Sequence, residues 1–224
     1  LFTNATAVRE FTHLPGLTFR SAQAVGDRWA LLPSAAGFVD PLLSTGFTLT
    51  LLGVERLAGL FAAGPTPGRG ALDEYAAAVD ADVAVAAKLI GTLHGHFDRP
   101  ADFQALLMLY FAAVSFSETA RRLDRPQLAP GFLLRGQPEF AGGMARILED
   151  VKTAGLRGKA LEERVREAIL PIDVGSWGDP ARRHWYPVEF EPLLAAADRL
   201  GCSRAEIRAS LLRAGVEAAQ LPGD

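Results

Sequence analysis

A chain of 224 residues has room for one large domain or two small ones, and an apolar content of 49% can fill a sizeable core. A net charge of −3 and a pI near 5.9 give no electrostatic case for nucleic acid or an anionic membrane surface. A single cysteine, Cys202, leaves no internal disulfide framework and fits a cytoplasmic setting, and no uninterrupted apolar stretch reaches the ~18 residues of a spanning helix.

The first ten residues are polar and unpatterned, and read as a severed connection. Leu17 to Val25 alternates apolar and polar side chains, and Gly26-Asp27-Arg28 turns the chain into an apolar run, Trp29 to Leu32. This predicts a β-hairpin at the edge of a larger sheet, with its second strand buried on both faces. Pro33 stops the run, and Ser34-Ala35-Ala36-Gly37 reads as a wide loop of small residues. A Phe38-Val39-Asp40-Pro41 turn follows, in which Asp40 is expected to act as an Asx-turn acceptor. Ser44-Thr45-Gly46 then opens a long apolar helix that runs to Ala63 and stops at Gly64.

Residues 64–70, rich in glycine and proline, are expected to be a linker between a head, 1–63, and a helical region, 71–224. In the second part the apolar spacing predicts a helix over 72–97. Another spans 103–123, N-capped by Asp102 and apolar nearly all round, hence central in a bundle. Residues 125–138 are loop, and 142–154 and 159–169 are amphipathic helices. An irregular segment over 171–187 carries Trp177, Trp185 and Tyr186. The pair 191–200 and 203–214 closes the chain, the last helix opened by a Ser203–Glu206 capping box. The fold class is α+β and mainly α.

An order of strand, small-residue loop and helix start brings unpaired backbone amides and a partial positive charge to a spot that a flat or anionic ligand can approach. The wording there, Phe38-Val39-Asp40-Pro41-Leu42-Leu43-Ser44-Thr45-Gly46, resembles the stretch that flavin-dependent halogenases and related FAD-dependent monooxygenases place against the isoalloxazine ring. In tryptophan halogenases it reads roughly V-E-P-L-E-S-T-G. The resemblance implies FAD as cofactor, with Ser34, Pro41, Ser44, Thr45, Gly46 and Phe47 as its contacts and Thr45 and Gly46 as the seat of an anion such as halide. It further implies a small organic substrate, aromatic or apolar, and a flavin reductase as partner. Leu43 stands where tryptophan halogenases carry a glutamate beside the substrate, which puts their tryptophan-specific mechanism in doubt here. No catalytic residue is assignable.

No G-x-G-x-x-G follows a strand, so the chain reads as the C-terminal portion of a longer protein whose nucleotide half lies elsewhere. His94-Gly95-His96 does not make a metal pair, because i and i+2 lie on different helix faces. His13 reads as a loop hydrogen-bond partner and Cys202 as a small buried residue. Two other functions fit the same pattern. One is a flavin-dependent reductase of the geranylgeranyl-reductase type, which needs a large apolar tunnel beside the 103–123 helix. The other is a non-enzymatic helical interaction domain, in which the 33–46 stretch is closed packing.

Overall fold

The computed structural model describes residues 6, 8–10, 12–13, 15–64, 66–181 and 189–222. Trp185 and Tyr186 lie outside them. The architecture is a small antiparallel β pair set against a mainly helical body, as the sequence predicts.

β1 (Phe19–Arg20) pairs with β2 (Gly37–Phe38), Phe19 opposite Phe38 and Arg20 opposite Gly37. This corrects the expected hairpin partner. The turn at 26–28 does form, with the Gly26 N–H donating to Trp29 O at 2.9 Å, but the Trp29–Leu32 run makes only an isolated bridge from Ala30 to Val25. It is not buried on two faces either: Trp29 is 48% exposed, its ring lying over Gly26, because no described strand covers its outer side. Between the two strands, α1 (Pro33–Ala36) replaces the expected open loop with one helical turn, started by a proline at a position where its missing N–H costs nothing.

α2 (Thr45–Ala63) ends where the Gly64 N–H donates to Phe61 O. Only its inner flank is covered, by Leu49, Leu52 and Gly53. Phe47, Leu51, Val54 and Phe61 lie exposed along the other. α3 (Arg69–His94) begins inside the expected linker, Gly68 standing at its N-cap. α4 (Pro100–Arg122) is the axis of the body, with Leu106, Leu109, Ala112, Ala113, Phe116 and Ala120 fully enclosed. Its N-cap is Arg99, with Pro100 at the first helical position. Asp102 does not cap it. That carboxylate instead accepts from the Gly158 N–H at 2.7 Å and lies 3.8 Å from Arg157, so it pins α4 to the start of another helix.

α5 (Pro138–Thr153) and α6 (Gly158–Ile169) turn clean apolar faces to the core. α7 (Phe190–Ala195) and α8 (Arg204–Arg213) follow, and the Ser203–Glu206 capping box is present in both directions. α2 and α4 are each long and apolar enough to cross a membrane by length and composition. Half of α4 is buried in the body, whereas α2 is mostly uncovered.

Candidate functional site

The stretch from Leu31 to Phe47 is clamped at both ends by buried tyrosines. The Tyr75 hydroxyl of α3 donates to Leu31 O at 2.8 Å, and the Tyr110 hydroxyl of α4 donates to Leu43 O at 2.9 Å. Burial raises the pKa of both phenols. At Tyr75 the Arg56 guanidinium pulls the other way, less strongly. Between the clamps, Pro33 packs directly on α2: a Cβ on Gly53 would stand 2.3 Å from Pro33 Cδ. Glycine is needed there so that the two backbones can meet.

Asp40 makes the expected Asx turn, accepting from the Leu42 N–H at 2.6 Å, and its other oxygen lies 3.4 Å from His94 Nε2. His96 is buried, with Nδ1 at 2.7 Å from Thr92 O, so the two histidines have separate partners. Among the described residues no group of three or more His, Cys, Asp or Glu side chains could hold a metal ion.

The candidate cofactor residues divide clearly. Ser34 is exposed on α1, and Pro41 is exposed in the turn. Ser44 stands at the N-cap of α2 but does not cap it: its backbone is left-handed (φ 52°, ψ 29°), and its side chain accepts no first-turn amide. Thr45 is 2% exposed, backbone included, and anchors the helix start inward. Gly46 has no atom within 4 Å of where a Cβ would stand, and Phe47 is 73% exposed. Among the described residues nothing accepts from the Thr45 or Gly46 amides. The start of α2 therefore lacks a side-chain cap and leaves an open edge at Gly46 and an exposed ring at Phe47, while Thr45 is enclosed by the body.

One helical turn further along α2, a cleft of about 350 Å³ opens between α2 and α4. Thr48 and Leu52 form one wall, Tyr110 and Val114 the other, and Phe132 the floor. The floor comes from a strained turn in which Gly131, Leu133 and Leu134 all have positive φ. That turn is held by Asp82, fully buried on α3. Asp82 accepts from the Phe132 N–H at 3.0 Å and pairs with Arg135 and, at 2.6 Å, with Arg56 of α2.

Reading the sequence alone missed Tyr75, Tyr110 and Gly53. A signal for the tyrosines existed. A tyrosine on an otherwise apolar helix face needs a partner for its hydroxyl, and a neighbouring loop carbonyl supplies one.

No protein-family model matches the chain. It is 24% identical over 238 residues to tetracycline 7-halogenase from Kitasatospora aureofaciens, an alignment covering 95% of this chain and 43% of that protein. A shorter stretch of 57 residues is 40% identical to monodechloroaminopyrrolnitrin halogenase PrnC from Pseudomonas fluorescens, covering 25% of this chain and 10% of the relative. The chain thus spans less than half the length of the curated relatives it matches. Over nearly its whole length, the chain is similar to part of a halogenase, at 24% identity.

Proposed function

We propose that this chain is the C-terminal portion of an FAD-dependent oxidoreductase, halogenase-like or monooxygenase-like, that acts on a small organic substrate. The observation that carries the reading is the start of α2: a helix start with no side-chain cap, open space beside Gly46 and the exposed Phe47 ring, at the end of the stretch whose wording resembles a flavin contact. When bound, reduced flavin supplies the reaction with oxygen that oxidises halide or substrate. The chain's own residues position and polarise. The Thr45 and Gly46 amides, with the helix dipole behind them, stabilise negative charge on the ring edge or seat a halide. Ser34, Pro41, Ser44 and Phe47, all exposed, are the side chains that would contact the ring, Phe47 supplying an apolar surface.

The tyrosine clamps and the Pro33–Gly53 contact keep this backbone in place before a ligand arrives, which lowers the ordering cost of binding. The exposed flank of α2 fits a helix that a nucleotide-binding half covers in the longer protein. A flavin reductase supplies the electrons. A cleft of about 350 Å³ lies at the small end of ligand sites and favours a compact substrate over the long prenyl chain of a geranylgeranyl-type reductase.

The test is the full-length protein with FAD, a flavin reductase, bromide and an electron-rich aromatic. Brominated or oxygenated product is expected, and Gly46→Val, which fills open space, removes it. Full activity in that variant, or no oxidation of any aromatic by the parent, overturns the proposal. The 224 residues alone should lose FAD on gel filtration.

A further inference from the structure

We propose that the α2–α4 cleft binds a small flat molecule carrying a hydrogen-bonding group, and that Tyr110 links its occupancy to the loop before α2. Identifying this molecule as the substrate rests on the flavin reading above, whereas the binding itself does not. Four features on the cleft's walls specify the ligand. Tyr110 and Phe132 give it two aromatic surfaces, and Leu52 and Val114 complete an apolar interior. Flat rings fit such a slot best, by stacked or edge-on contact.

Thr48, Ser115 and Ser117 are among the residues that line the same space, and none of their hydroxyls makes a side-chain hydrogen bond among the described residues. Each is thus a donor and an acceptor ready for a ligand hydroxyl, amine or carbonyl. Arg121 and Glu118 close the rim, but both are engaged, Arg121 with Glu55 at 2.8 Å and Glu118 with Arg122 at 2.6 Å. A neutral polar group on the ligand therefore suits the cleft better than a full charge. The volume admits one or two fused rings.

Tyr110 makes this cleft more than a neighbour of the loop. Its ring is a wall of the cleft, and its hydroxyl holds Leu43 O, two residues before Thr45. A molecule pressing on the ring acts, through one 2.9 Å hydrogen bond, on the carbonyl that fixes the turn into α2.

The experiment is a titration of the isotope-labelled full chain with phenol, indole and cyclohexanol, without flavin, followed by amide NMR signals. Phenol and indole should shift Thr48, Val114 and Gly131 saturably, at least tenfold more tightly than cyclohexanol. Val114→Trp should abolish this, as should Thr48→Trp at an exposed position where folding is not at risk. Tyr110→Phe should keep phenol affinity within about threefold but lose the response at Leu43 and Gly46. Equal binding of cyclohexanol, phenol shifts that survive both tryptophan variants, or linear shifts scattered over the surface overturn the site. A Leu43 response that persists in Tyr110→Phe overturns the link. A separate flavin titration read at Gly46 and Phe47 tests the flavin reading independently, so either can fail while the other stands.

Discussion

Two glycines on α2 should respond in opposite directions to the same substitution. An alanine Cβ at Gly53 meets Pro33 Cδ at 2.3 Å and Cγ at 2.8 Å, against about 3.5–4.0 Å for carbon atoms at rest, so something must move by about 1 Å. The proline ring cannot swing aside, because it is closed onto its own backbone. α1 must lift from α2 instead, at a cost of about 1–3 kcal/mol. Gly59, six residues along the same helix, has nothing within 4 Å. There alanine gains only the helix preference, about 1 kcal/mol. Both variants share that gain, so the difference between them isolates the Pro33 contact at about 1–3 kcal/mol. Urea unfolding with a slope of about 2–3 kcal/mol/M should separate the midpoints by about 0.3–1.5 M, Gly59→Ala above the parent and Gly53→Ala below it. Amide exchange at Ala35 and Ala36 should quicken only in Gly53→Ala, since their bonds to Leu32 O belong to α1. If Gly53→Ala is as stable as Gly59→Ala, the account of how α1 is held on α2 is wrong.

Asp82→Asn removes the charge that two arginines share and should cost about 3–5 kcal/mol in a thermal or urea melt. A loss below about 1 kcal/mol would mean that Asp82 is not what holds the 131–134 turn. Tyr110→Phe should cost about 1 kcal/mol for the bond to Leu43 O. The two raised phenols also set an alkaline limit. Unfolded tyrosines lose protons near pH 10.0 while folded Tyr75 and Tyr110 keep theirs, so stability should fall as pH rises past 10, and less steeply in the Tyr75→Phe/Tyr110→Phe double variant. Urea midpoints from pH 9 to 11 decide this. At the acid end, the Ser203 N–H and hydroxyl lower the Glu206 pKa, and Arg125 adds to this. Its contribution is complete above the ordinary carboxylate range and is lost as pH falls through the lowered value, so Glu206→Gln should flatten stability between pH 3 and 5.

The long helices were legible because apolar spacing and composition decide them: α2, α4, α5, α6 and the Ser203 capping box lie within a few residues of where the sequence puts them. The head was harder to read. Pro33-Ser34-Ala35-Ala36 contains a proline at a good first helical position, yet one turn of helix has no periodicity to recognise. β1 chose Gly37–Phe38 over the adjacent Trp29 run, a choice made by the packing of α1 between them rather than by strand propensity. Asp102 has the chemistry of an N-cap but serves a different helix, because Pro100 already starts α4 two residues earlier. At the candidate site, the segment itself was visible as a run of small residues before a helix. The cleft was not, since Thr48, Tyr110, Ser115 and Phe132 converge from three separate segments and share no local pattern.

Ser44 shows what this helix start gives up. A serine in its place normally turns its oxygen back on the following amides and stabilises the helix by about 1 kcal/mol. Here it sits instead in a backbone region that disfavours side chains, by about 1–2 kcal/mol. Asparagine or glycine should be welcome at this position and a branched residue such as valine should not, whatever becomes of the hydroxyl. The backbone geometry, more than the oxygen, selects the residue, and a helix start without a side-chain cap is what that geometry leaves.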